Sequence, residues 1–136
     1  MEKTFLYLRV STPGQVDGFG FDRQEEACRA YAKKAGYEIA GIFHEQGISG
    51  TKDETERPAF QDMMTSILAN GVKTVIVESM DRLARELRIQ ETLLIYLASK
   101  GVGLISARTE ENITQAVKDD PLKKVLVQIQ GGGRRA

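Results

Sequence analysis

The chain has 136 residues, enough for one domain with a real hydrophobic core. Its composition, 41% hydrophobic and 28% charged, is that of a globular protein, and no apolar run approaches the roughly 18 residues that a membrane helix needs. With 19 basic and 19 acidic residues the net charge is zero, which disfavours nucleic-acid binding unless basic residues converge locally or the main binding module lies outside this chain.

Met1-Glu2-Lys3-Thr4 leads straight into a strand pattern, without the apolar stretch and cleavage site of a signal peptide. Phe5, Leu6, Tyr7, Leu8 and Val10 make Thr4 to Val10 a buried strand. A glycine-containing loop is expected from Thr12 to about Phe21. From Asp22 to Ala35, Cys28, Tyr31, Ala32 and Ala35 fall at helical spacing, and Gly36 supplies a stop. Cys28, the only cysteine, has no internal disulfide partner and reads as a small core residue, with a cytoplasmic setting expected.

Glu38 to His44 reads as a second strand through Ile39, Ile42 and Phe43. Glu45 to Glu56 is polar and is expected to be a mobile loop. Pro58 opens the next helix, carried by Phe60, Met63, Met64, Ile67 and Leu68 and closed by Gly71. Val72 to Val77 is a third strand, and Ser79 to Arg85 a polar junction. A helix from Glu86 to Lys100 with Leu93, Leu94 and Leu97 inward ends at Gly101, before a fourth strand from Val102 to Ser106. This alternation predicts an α/β fold around a mostly parallel sheet flanked by helices.

A last helix is expected after Asp120 and Pro121, with Leu122, Val125, Leu126 and Ile129 as its apolar stripe. The stripe either packs back on its own domain or pairs with another subunit. Gly131-Gly132-Gly133 ends it, since each interior glycine costs a helix about 1 kcal/mol relative to alanine. Residues 1–130 are therefore read as the domain and residues 131–136 as a tail, truncated or non-native, with no separate DNA-binding domain present.

Several chemistries fail on spacing. Gly18-Phe19-Gly20 stands too far past the first strand for a dinucleotide turn, and Arg23 occupies the place of its third glycine. No Gly-Lys-Ser/Thr phosphate loop occurs. His44, the only histidine, builds neither a two-histidine zinc site nor a convincing Ser-His-Asp triad, because Ser11 lacks the flanking glycines of a nucleophile elbow. No metal or cofactor is expected.

Two clusters remain. Arg9, Ser11, Thr12 and Gln15 stand at the end of the first strand, and Ser79, Asp81, Arg82 and Arg85 at the end of the third. The carboxyl ends of parallel strands share one rim, where ligands bind, and Arg57 can reach it from the preceding loop. Several arginines around one serine call for an anion, and phosphate suits their planar forks. A hydroxyl attacking a phosphodiester builds charge on the non-bridging oxygens, which arginines stabilise more in the transition state than in the ground state.

These residues closely resemble the catalytic domain of the serine site-specific recombinases, the resolvase/invertase family. Tyr7-Leu8-Arg9-Val10-Ser11-Thr12, Gln15 and Asp22-Arg23-Gln24 resemble its nucleophile strand and following loop; Ser49-Gly50 with Arg57-Pro58 resembles its second motif and Asp81-Arg82-Leu83-Ala84-Arg85 its third. The resemblance spans about residues 4–130 and implies a resolvase-like fold. It implies that Ser11 forms a 5′-phosphoserine with each cut strand, that Arg9, Arg57, Arg82 and Arg85 bind the phosphate with Asp81 as acidic partner, and that Gln15 and Gln24 support the site. It also implies double-stranded DNA as substrate, religation without ATP or metal, and dimers assembling to a tetramer through the last helix. A non-catalytic assembly fragment and a small phosphate- or nucleotide-binding domain are the competing readings.

Overall fold

The computed structural model describes residues 1–10 and 19–119 of the chain. Strands β1 (Glu2–Val10), β2 (Tyr37–Gln46), β3 (Thr74–Val77), β4 (Gly103–Ser106) and β5 (Glu111–Asn112) form one sheet in the order β2-β1-β3-β4-β5. All neighbours are parallel except β4 and β5, which run antiparallel. Helices α1 (Phe19–Ala35), α2 (Pro58–Asn70), α3 (Met80–Leu83), α4 (Leu87–Ser99) and α5 (Ile113–Asp119) complete the described elements, with a short 3-10 turn at Glu54–Glu56.

Strand alternation divides the core. Phe5, Tyr7, Val75, Val77 and Leu104 face a cluster with Phe60, Met63, Leu93 and Leu97 of α2 and α4. Leu6, Leu8, Ile76 and Ile105 face the other way, onto Cys28 and Ala32 of α1. β1 is therefore apolar at consecutive positions because both its faces are covered, as a central parallel strand requires. Burying each of its large side chains is worth about 1.5–3 kcal/mol. Cys28 is fully buried, and burial, with the charges of Glu78 and Glu25, pushes its thiol up to about 12, so it is an inert core residue.

Several boundaries differ from the sequence pattern. β2 runs on to Gln46, so Glu45 belongs to the sheet and not to the loop. The loop itself is structured, with Asp53 capping the 3-10 turn by accepting from the Thr55 amide. α1 starts at Phe19 instead of Asp22. The expected polar junction holds α3, whose four residues are too few to show a period. β5 and α5 were not expected at all: two residues leave no alternation to read, and the seven residues of Ile113–Asp119 span less than two helical turns. Gly36, Gly71 and Gly101 all adopt positive φ at helix ends, as their positions suggested.

Candidate active site

β1 and β3 end on the same rim because they are parallel, and that is where the polar groups gather. A pocket of about 360 Å³ opens there, lined by Arg9, Arg23, Arg82, Arg85 and Arg108 together with Val10, Ser79 and Asp81. Five of eight lining residues are arginines and one is acidic. In a chain of zero net charge the cations do converge locally, which removes the objection that composition raised.

Arg9 occupies an otherwise apolar strand, and its guanidinium is committed to the backbone. Nε donates to the Arg82 carbonyl at 2.8 Å, Nη1 to Ile48 at 3.0 Å and Nη2 to Asp81 at 3.3 Å. It thus ties the end of β1 to both the 47–53 loop and α3. Burial, then the charge of Arg57 and those of Arg85 and Arg82, push its pKa down to about 10, partly opposed by Tyr7. It remains a cation at neutral pH, held among other cations, which is the electrostatic condition for binding an anion.

Gln24, fully buried on α1, clasps the Arg9 backbone: the Arg9 amide donates to its Oε1 at 3.1 Å and its Nε2 donates to the Arg9 carbonyl at 3.0 Å. Both ends of its side-chain amide are used there, so its contribution to the rim is to fix β1.

Arg57 is fully buried and does not line the pocket. Its Nε donates to the Lys52 carbonyl at 2.8 Å and its Nη1 to the Leu83 carbonyl at 2.6 Å. Nη1 also reaches the Tyr7 hydroxyl at 3.4 Å, and that hydroxyl donates to Glu45 Oε1 at 2.7 Å. Nη2 has no hydrogen-bond partner among the described residues. Glu45 further accepts the Ala59 and Phe60 amides, each at 2.9 Å, and so caps α2 in place of Arg57, whose own side chain makes no cap bond. Burial raises the Tyr7 hydroxyl well above its ordinary pKa, so Tyr7 acts as a neutral bridge between Glu45 and Arg57.

Gly50 explains how the 47–53 loop reaches the rim. Its carbonyl accepts the Arg85 amide at 3.1 Å, and a Cβ at this position would lie 2.8 Å from the Arg85 amide nitrogen and Cγ and 3.0 Å from Arg9 Nη2. Only glycine permits that approach.

Three residues of the site were not singled out for chemistry by the sequence. Glu78, almost fully buried, receives Arg82 Nε on Oε1 at 3.0 Å and Arg108 Nη2 on Oε2 at 3.1 Å, while Arg23 Nε stands 3.5 Å from Oε2. Burial raises the Glu78 pKa, but hydrogen bonds and charges from Arg82 and Arg108 outweigh it, so the carboxyl lies below its ordinary value. Glu78 directly follows the carboxyl end of β3 and Arg108 stands two residues past that of β4, and that placement is the signal by which they are findable. The expected Ser11, Thr12 and Gln15, and the helix stripe Leu122, Val125, Leu126 and Ile129, lie outside the described residues.

The sequence model of the resolvase N-terminal domain matches residues 4–135. This chain belongs to the resolvase family. The resolvase-family domain is similar to the N-terminal catalytic domain of TP901-1 integrase, with 27% identity, coverage of 98% of this chain and 95% of that one, and a TM-score of 0.75. It is similar as well to a resolvase family site-specific recombinase from Streptococcus pneumoniae, with 26% identity, coverage of 99% and 97%, and a TM-score of 0.67. Among curated proteins, a resolvase of Escherichia coli is 29% identical over 124 residues, which is 90% of this chain and 52% of that protein. The uncharacterised protein YbcK of Escherichia coli K12 is 33% identical over 92 residues, 63% of this chain and 18% of YbcK. The domain thus spans about half or less of the curated relatives it matches. Among the described residues, no group of His, Cys, Asp or Glu is placed to hold a metal ion, and no helix is long and apolar enough to cross a membrane.

Proposed function

We propose that this domain performs site-specific DNA recombination by cleaving and rejoining DNA strands, with Ser11 as nucleophile. The observation that carries the reading is the arginine-lined pocket at the end of β1: Val10 lines it, and Ser11 is the next residue in the chain. The Ser11 hydroxyl oxygen attacks phosphorus, the P–O3′ bond breaks, and the 3′ oxygen leaves as a hydroxyl. The product is a 5′-phosphoserine ester. Attack by a 3′ hydroxyl of another strand reverses the step, and because the ester conserves the broken bond, religation needs no ATP.

Arg82 and Arg85 act on the non-bridging oxygens of the phosphate. A single such arginine is worth on the order of 10³ to 10⁵ in rate in other phosphoryl-transfer enzymes. They supply the charge stabilisation for which other such sites use metal ions. Asp81, the acidic residue of the lining, serves as proton carrier or arginine orienter. Arg9 and Arg57, through their bonds to carbonyls of the segment from Asp81 to Leu83, hold that segment in place. Dimers pairing through the stripe Leu122, Val125, Leu126 and Ile129 and assembling to a tetramer on double-stranded DNA belong to the same proposal; Leu126→Asp should lower the solution mass, and an unchanged mass counts against that interface.

The experiment fuses the domain to a DNA-binding module of known site and supplies a duplex whose nick lets the cut end diffuse away. A protein–DNA species that survives denaturation is expected. Its absence despite confirmed binding of the duplex would favour an assembly fragment without catalysis.

A further inference from the structure

The pocket holds more arginines than one phosphate in reaction requires, and Glu78 sorts them. Its Oε1 takes Arg82, the residue assigned above to the reacting phosphate, while its Oε2 takes Arg108 and Arg23. These two come from different elements: Arg23 from α1 and Arg108 from the segment after β4, whose amide is itself anchored to the Glu78 carbonyl at 2.9 Å. Each contacts the carboxylate through one nitrogen, and among the described residues the rest of each fork has no other partner, which leaves it to a ligand. Both side chains are more than half exposed, at 56% and 57%, over a carboxylate that is only 4% exposed. A solvated surface pair does not look like this: one buried anion gathers cations from separate elements and turns their remaining donors to a shared pocket.

We infer that Arg23 and Arg108, seated on Glu78, form a second phosphate subsite that binds a DNA backbone phosphate next to the one Ser11 attacks. The inference rests on the reading of DNA as the substrate. Arg82 is bonded to the same carboxylate as the pair, so occupation of the second subsite places the scissile phosphate with respect to Arg82. Glu78 is a positioning residue in this scheme and touches no substrate.

The test is fluorescence anisotropy of a labelled DNA duplex binding the whole chain across a salt series, for wild type, Arg23→Gln, Arg108→Gln, Arg85→Gln and Arg29→Gln. Arg29 lies on α1, paired with Glu25 away from the pocket, and its loss changes net charge equally. Arg23→Gln and Arg108→Gln should each lower the slope of log affinity against log salt by about one and weaken binding about tenfold near 50 mM salt. Arg29→Gln should leave the slope unchanged. If Arg23→Gln and Arg108→Gln behave like Arg29→Gln while Arg85→Gln weakens binding, the second subsite is overturned and DNA as substrate survives. If Arg85→Gln, too, binds as wild type does, both fall together.

Discussion

Gln24 holds Arg9 by both of its backbone groups, at 3.1 and 3.0 Å, as a neighbouring strand would. The need arises from the sheet: β3 pairs with β1 only at Phe5 and Leu6, so among the described residues no strand pairs with the end of β1 on that side. A side chain from α1 completes the ladder. Gln24→Ala strands a buried amide and carbonyl and should cost about 2–4 kcal/mol. Gln24→Glu keeps the acceptor but faces the Arg9 carbonyl with a second oxygen, and should be destabilising as well. Urea unfolding midpoints measure both; stability within about 0.5 kcal/mol of wild type would show that the clasp is dispensable.

Gly50→Ala should separate catalysis from fold. The added methyl meets the Arg85 amide nitrogen, which cannot swing away as a flexible chain end does. Overpacking of this kind costs about 1–3 kcal/mol, which leaves a folded domain. The displaced Arg85 and Arg9 should lower DNA cleavage by tenfold or more. Cleavage at the wild-type rate, with the melting temperature recorded alongside, would mean that the loop yields without moving the arginines.

The fold was largely legible in the sequence, and the reason is periodicity. β1, α1, α2 and α4 each carry enough apolar positions to declare their type, and the glycines at 36, 71 and 101 mark their ends. α3, β5 and α5 escaped because each is too short to show a repeat. The site was legible where residues adjoin in sequence, as with Asp81, Arg82 and Arg85. Arg57 reads from sequence as an arginine that reaches the rim from the preceding loop; in the structure it is buried and bonded to the Lys52 and Leu83 carbonyls. The Glu78 cluster was hidden because residues 23, 78 and 108 meet only once the sheet is built.

The Glu78 carboxyl sits below its ordinary pKa, so it stays ionised in the folded domain at pH values where the unfolded chain, near 4.3, takes up a proton. Its stabilisation is therefore fully present above about pH 4.3 and is lost as pH falls through the lower folded value. Glu78→Gln removes this titration. Unfolding midpoints between pH 6 and pH 3 should fall more steeply for wild type than for Glu78→Gln. Parallel curves would indicate that the arginines do not hold the charged form.

Arg82→Ala removes both the proposed phosphate ligand and the Glu78 Oε1 partner, and should reduce cleavage by about 10³ or more. Arg57→Ala should act differently: truncating a fully buried cation that braces Lys52 and Leu83 should cost about 3–5 kcal/mol of stability. Comparing cleavage rates with unfolding midpoints separates the two. A folded, stable Arg57→Ala domain would contradict the bracing role.

Ser11 as nucleophile is tested most directly by mapping the atom to which DNA becomes attached. The fused domain is incubated with the nicked duplex, the covalent species is digested, and peptide mass spectrometry locates the nucleotide adduct. The adduct is expected on Ser11, on the 5′ phosphate side of the cut, with none in Ser11→Ala. An adduct on another residue, or one that persists in Ser11→Ala, would contradict Ser11 as nucleophile.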